Sequence, residues 1–213
     1  RPTWGRPVRE TKIHSSWTFP NASYETGVKH FFTAAMGDAF FRADLERFVS
    51  HLEAPGRITS LAQTLIKPTA PGVPDTHQGT ELWDLSLVDP DNRRAVDFEL
   101  RERMLAELDL ALESDPLRGP GVDALLAEVD SGLPKLWLLR QALHLRQARP
   151  DAFGPGADYR PLVASGGAAG HVVAFLRGGR VATIVPRLPL KLARGRIGAR
   201  LVAPPSRWAD TRI

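Results

Sequence analysis

The chain has 213 residues, 43% of them apolar and 24% charged, enough for a real hydrophobic core and far from the composition of a disordered segment. It has no cysteine, which excludes disulfide stapling, thiolate catalysis and cysteine-based zinc sites, and no apolar run long enough to span a bilayer as a helix. The formal net charge of +4 hides an asymmetry: residues 1–132 carry 14 Lys/Arg against 21 Asp/Glu (net −7), and residues 133–213 carry 14 against 3 (net +11).

In chain order, Asn21 is placed to cap a helix with Glu25 in its first turn and Tyr24, Val28, Phe31, Phe32 and Ala35 on one face, ending at Gly37. Asp38 opens a second helix through Phe41, Leu45, Phe48, Val49 and Leu52, which Pro55-Gly56 is expected to stop. Ile58, Leu61 and Leu65 mark a third, closed by Pro68. From Pro68 to Val96 no long period survives, so this stretch reads as loop, with one short strand near Val73.

Helical spacing returns at Phe98, Met104, Leu105, Leu108 and Leu112, then over Val122–Val129 and Leu136–Leu145, with Gly119-Pro120-Gly121 and Gly132 as separators. After Arg149 a turn-rich linker leads to HVVAFLRGGRVATIV, two strands joined by a Gly178-Gly179 turn. Ala199–Val202 and Arg207–Ile213 are candidates for further short strands. The expected fold class is therefore mixed, with a helix-rich block over 1–154 and a small antiparallel β-domain over 155–213.

The loop PGVPDTHQGTELWDLSLVDPDNRR, Pro71–Arg94, concentrates the chemistry. Pro71, Gly72 and Pro74 shape the backbone and do no chemistry. Gln78, Glu81, Trp83, Asp84, Asp89, Asp91, Arg93 and Arg94 supply what a sugar site needs: carboxylate, amide and guanidinium groups for adjacent hydroxyls, and an aromatic face for a pyranose ring. Asp89 and Arg93 have a second reading as an ion pair pinning the loop, and that reading is preferred for Asp91 and Arg94. A second polar cluster, Lys12, His14, Ser15, Ser16 and Trp17, has its own plain alternative, in which Trp17 packs on the next helix and Ser16 or Thr18 organises a turn.

Other catalytic classes find no support. No serine sits in a G-x-S-x-G elbow and no histidine pair has metalloprotease spacing. Ser165-Gly166-Gly167-Ala168-Ala169-Gly170 lacks the P-loop Lys-Ser/Thr and reads as a hairpin loop. The basic C-terminal third has few aromatics and no nucleic-acid motif, so no nucleic-acid or membrane partner is expected, and no metal or cofactor.

The motifs PGVPDTHQGTELWD, LVDPDNRR and VRETKIHSSWTFPNASYE resemble segments of the maltooligosyltrehalose synthases, a family of the alpha-amylase superfamily of glycoside hydrolases; SLAQTLIKPTAPGVPD and HVVAFLRGGRVATIVPRLPL extend the likeness. The resemblance implies the helix-rich final part of a (β/α)8 barrel followed by a C-terminal β-domain. It implies intramolecular transglucosylation, the reducing-end α-1,4 bond of a maltooligosaccharide becoming α,α-1,1, by a retaining two-carboxylate route with water excluded. On this likeness Asp89 and Arg93 lie by the sugar hydroxyls, with Gln78, Glu81, Trp83, Lys12 and His14 as further substrate contacts. The family's catalytic carboxylates lie in upstream motifs that this sequence lacks. The chain is therefore expected to be a C-terminal fragment, inactive alone, whose partners are the maltooligosaccharide and the N-terminal part of the same cytoplasmic enzyme. The alternatives are a trehalose-releasing hydrolase of the same superfamily and a non-catalytic carbohydrate-binding module.

Overall fold

The computed structural model describes residues 5–86, 94–115, 119–195, 197–198 and 201–213. They group into two compact units, one of residues 1–50 with 85–95, the other of 51–84 with 96–213.

In the first unit, α1 (Gly5–Glu10) leads through a turn to α2 (Ala22–Gly37). The Asn21 side chain accepts from the Tyr24 N–H at 3.0 Å, the expected cap. Asp38 both closes α2, donating its N–H to Ala34, and caps the next helix by accepting from the Phe41 N–H at 2.7 Å. No residue of α2 is buried, and Phe31, Phe32 and Met36 stand exposed.

Asp38 starts α3, which runs from Ala39 to Thr69 without stopping at Pro55-Gly56, so the two helices expected there are one. A proline inside a helix removes one ladder bond. Here Pro55 is buried, as are Ile58 and Ala62 further along, and packing of this face carries the helix through the break. Every buried residue of α3 lies at or after Pro55, and Pro68 sits inside the last turn, one residue before the end.

In the second unit the stretch around Val73 forms no strand. α4 (Phe98–Ser114) is capped by Asp97, whose carboxylate accepts from the Leu100 N–H at 2.8 Å. α5 (Val122–Ala127), a single 3-10 turn (Val129–Ser131) and α6 (Leu133–Ala148) follow, broken at Gly132 as its left-handed φ of +87° allows. The core joins Leu82 of the long loop to Met104 and Leu108 of α4, Leu125 of α5 and Leu136 of α6.

α7 (Pro150–Phe153) precedes a three-stranded antiparallel sheet in the order β1 (Tyr159–Pro161), β2 (Val172–Arg177), β3 (Val181–Pro186). Gly178 and Gly179, with φ of +53° and +64°, and Arg180 form the three-residue connection between the paired Arg177 and Val181. A Cβ on Gly178 would come within 2.6 Å of the Ala152 Cα, so the hairpin rests directly on α7. Arg177, buried, adds an Nε contact to the Ala152 carbonyl at 3.4 Å and a guanidinium 6.0 Å from the Phe153 ring. After a short α8 (Pro189–Leu192), the described part of 199–213 forms no strand beyond a single bridge between Ser165 and Arg212. The glycine-rich segment is held by that tail: Gly167 N–H donates to Asp210 Oδ1 at 2.9 Å and Ala168 N–H to Thr211 Oγ1 at 3.0 Å. These backbone donors are used structurally, as expected of a connection between antiparallel strands.

Candidate functional site

In the first unit, the segment linking α1 to α2 is tied down by one carboxylate. Glu25 Oε1 accepts from Arg9 Nε at 2.8 Å and from Ser15 Oγ at 2.5 Å, and its Oε2 accepts from Arg9 Nη2 at 2.7 Å. Arg9 first, and then the Ser15 hydroxyl, hold the Glu25 carboxyl down at about 2. Ser15 is buried and its Oγ also accepts from the Asn21 N–H at 3.0 Å, which joins this cluster to the cap of α2.

Trp17 donates through Nε1 to Glu10 Oε1 at 2.9 Å, with the Arg9 guanidinium 5.2 Å from its ring. Ser16 organises the turn by accepting from the Phe19 N–H at 2.9 Å. Of the two residues singled out here as substrate contacts, Lys12 is exposed at a left-handed φ of +56°, and His14 is exposed with its ring 4.9 Å from that of Tyr24.

In the second unit the long loop is clamped from two sides. On one, Glu81 Oε2 accepts from Arg101 Nε at 2.8 Å and from the Gly79 N–H at 2.9 Å, while Arg101 Nη2 donates to the Gly79 carbonyl at 2.9 Å. On the other, Trp83 Nε1 donates to the Val129 carbonyl at 2.6 Å. The charged groups of Arg57 and Lys135 lie 5.9 and 6.0 Å from the Trp83 ring, and Arg57 bridges Glu53 and Asp130 at 2.7 and 2.6 Å. Gly132 fits because a Cβ there would stand 3.0 Å from the Leu82 Cβ.

Lys135 completes this clamp. Its Nζ, buried, donates to the Leu82 carbonyl at 2.9 Å. Burial, and secondarily the charge of Lys67, push its pKa down. Beside it opens a pocket of about 270 Å³, lined by Ser60, Gln63, Thr64 and Lys67 of α3, by Asp75, Thr76, His77 and Thr80 of the loop, and by Lys135 and Leu139 of α6.

The structure thus gathers Glu81 and Trp83 into one clamped loop and leaves Gln78 exposed in the tight turn at 78–80. Asp89 and Arg93 lie outside the described residues. Sequence reasoning missed Arg57, Arg101 and Lys135. A signal existed for Lys135, a lone lysine in the apolar run Leu133–Leu139. Among the described residues no group of three or more His, Asp or Glu is placed to hold a metal ion, and no helix is long and apolar enough to cross a membrane.

Helices carrying a clamped polar loop, followed by a small three-stranded antiparallel sheet, place the chain in a mixed, helix-rich class. The relatives make the class specific. A putative maltooligosyl trehalose synthase of Mycobacterium tuberculosis is 37% identical over 206 residues, 96% of this chain. The structure of maltooligosyltrehalose synthase from Arthrobacter ramosus superposes with a TM-score of 0.74 at 36% identity over the same share, and a hypothetical maltooligosyl trehalose synthase of Sulfolobus tokodaii with 0.65 at 29% over 84%. No protein-family model matches the chain. The resemblance to the maltooligosyltrehalose synthases therefore holds over nearly the whole chain, which spans about a quarter (24%) of the length of the first two relatives.

Proposed function

We propose that this chain is the C-terminal part of a cytoplasmic maltooligosyltrehalose synthase, comprising the last part of its catalytic barrel (1–154) and a β-domain (155–213). The observation that carries the reading is the 36–37% identity, sustained over 96% of the chain and accompanied by a matching fold. The longer protein converts the reducing-end α-1,4 linkage of a maltooligosaccharide into an α,α-1,1 linkage, and its catalytic carboxylates come from outside this chain. The chain's own share of the work is to bind and orient.

In this reading Asp89 and Arg93 hold sugar hydroxyls, and Gln78 contacts sugar from its exposed turn. Both bonds on Glu81 from Arg101 and Gly79 fall on Oε2, which leaves Oε1 for a hydroxyl. The clamp around Trp83 fixes the direction of the loop as well as presenting an aromatic face. Lys12 and His14, exposed in the other unit, serve as further contacts.

Kinetics in the full-length protein test these roles. Asp89→Ala and Arg93→Ala each remove a charge-assisted hydrogen bond of about 1.5–3 kcal/mol, so turnover of maltopentaose falls roughly 10- to 150-fold with an unchanged circular-dichroism spectrum. Wild-type kinetics in both variants reduce the pair to a loop-pinning ion pair. The 213-residue chain alone yields no trehalose-ended product; its appearance overturns the assignment of catalysis to residues outside the chain.

A further inference from the structure

The entrance of the long loop hangs on one side chain. Pro71 and Pro74 carry no N–H, and among the described residues the single hydrogen bond made by the backbone of 71–76 is the one that the Gly72 carbonyl accepts from Arg146 Nη2 at 2.6 Å. Arg146, in the last turn of α6, donates from its other terminal nitrogen to the Pro68 carbonyl at 2.9 Å. Pro68 stands in the last turn of α3, where carbonyls lack a helical partner and a cation is favoured. One guanidinium thus joins the end of α3 to the first turn of the loop. Its planar fork suits two carbonyls at once, whereas a lysine offers a single point charge.

The guanidinium is itself backed. It lies 5.6 Å from the ring of Phe153, and the Arg177 guanidinium lies 6.0 Å from the same ring. Phe153 is buried in α7, the helix on which the β2–β3 hairpin rests. The stretch after Gly72 is therefore suspended between two anchors, Arg146 at its start and the Glu81–Arg101 clamp at its end. Gln78, exposed, lies between them.

We propose that Arg146 is a positioning residue for the glucosyl transfer: by tying Gly72 to Pro68 it sets the direction in which the loop leaves α3, and so holds Gln78 and Glu81 against the sugar. The proposal rests on the synthase reading and adds to it a residue that touches no substrate. A loop freed at its entrance must be ordered anew in each turnover, and a displacement of about 1 Å costs up to about 100-fold in rate. Such a loop also covers the site less well. Water then attacks the maltooligosyl–enzyme bond in place of the retained glucose; its oxygen goes to the anomeric carbon, its proton to the base, and a chain one glucose shorter leaves together with glucose.

Kinetics of the full-length protein on maltopentaose test this, with wild type set against Arg146→Met and Arg146→Lys and the products resolved by proton NMR. Methionine keeps an unbranched stem and loses both bonds, while lysine keeps the charge and reaches one carbonyl at a time. Expected for Arg146→Met are a kcat about tenfold or more lower, a KM within about threefold of wild type, and at least about threefold more glucose released per trehalose end. Arg146→Lys falls between the two, and it decides the matter if the methionine variant does not fold. A lowered melting temperature with kcat and glucose share at wild-type values makes Arg146 a purely structural residue and overturns the proposal.

Limited proteolysis reads the anchor without activity, because Asp75 is exposed just past Gly72. An aspartate-directed protease is expected to cut there at least about threefold faster in Arg146→Met than in wild type. Equal rates overturn the proposal. A wild-type protein that makes no trehalose end, with Asp75 cut faster in the variant, defeats the synthase reading and leaves the anchor standing.

Discussion

The two units of this chain treat their apolar side chains in opposite ways. In the second, Leu108 is 1% exposed and packs with Leu82, Met104, Leu125 and Leu136, so that the long loop is itself part of the core. In the first, Phe40 is 89% exposed, Phe31 is 69% exposed and α2 buries nothing. The same helix, α3, shows both behaviours, without burial before Pro55 and with repeated burial after it. The second unit holds its shape through a core. The best-defined local structure of the first comes from caps and the Arg9–Glu25–Ser15 cluster.

That contrast predicts a graded series of substitutions in the protein that carries this chain. Leu108→Ala opens a cavity in a packed core and costs about 2–5 kcal/mol in urea denaturation of the second unit. A loss under 1 kcal/mol would mean that the core is not the support described. Gly178→Ala comes next. A left-handed alanine costs about 1–2 kcal/mol, and its Cβ would press on α7 with a further overpacking cost of about 1–3 kcal/mol. Should Gly178→Ala leave the melting temperature unchanged, the hairpin does not rest on Ala152.

Acid probes the cluster that ties down the first unit. The bonds from Arg9, and then from Ser15, hold the Glu25 carboxyl at about 2 in the folded chain, below the ordinary 4.5. Its contribution is present above 4.5 and is lost as pH falls from there toward 2. A carboxyl-carbon NMR titration of Glu25 should show that low midpoint, and Arg9→Gln should raise it toward the ordinary value. A normal midpoint in the wild-type protein would dissolve the cluster. The smallest effect belongs to Phe40→Ala, exposed and unburied, within about 0.5 kcal/mol by denaturation. A loss of several kcal/mol there would show that this side chain is covered in the working protein.

What the sequence revealed follows the same division between local and distant causes. Asn21 and Asp38 as caps and Gly178-Gly179 as a turn were legible because each acts within three or four residues of itself. Pro55 misled for the opposite reason. Local chemistry marks it as a stop, but burial of Pro55, Ile58 and Ala62 on one face overrides the lost ladder bond. In the site, the turn residues of Pro71–Arg94 announced a long polar loop, and Glu81 and Trp83 stood out by type. Their partners did not: Arg101 lies 20 residues from Glu81, the Val129 carbonyl 46 from Trp83, and the Leu82 carbonyl 53 from Lys135. Two of these three partners are backbone carbonyls, which leave no trace in residue identity. The pocket beside Lys135 was hidden likewise, since Ser60, Gln63, Thr64 and Lys67 read as an ordinary solvated helix face until Asp75 is placed opposite.

Proton NMR of the full-length protein acting on maltopentaose tests most directly the proposal that this chain serves in a glucan-rearranging synthase. The expected result is that the reducing-end anomeric signals disappear and two α,α-1,1 anomeric protons appear for each reducing end lost, with little free glucose. Release of glucose or shorter maltooligosaccharides without an α,α-1,1 signal, or no change at all, would contradict it.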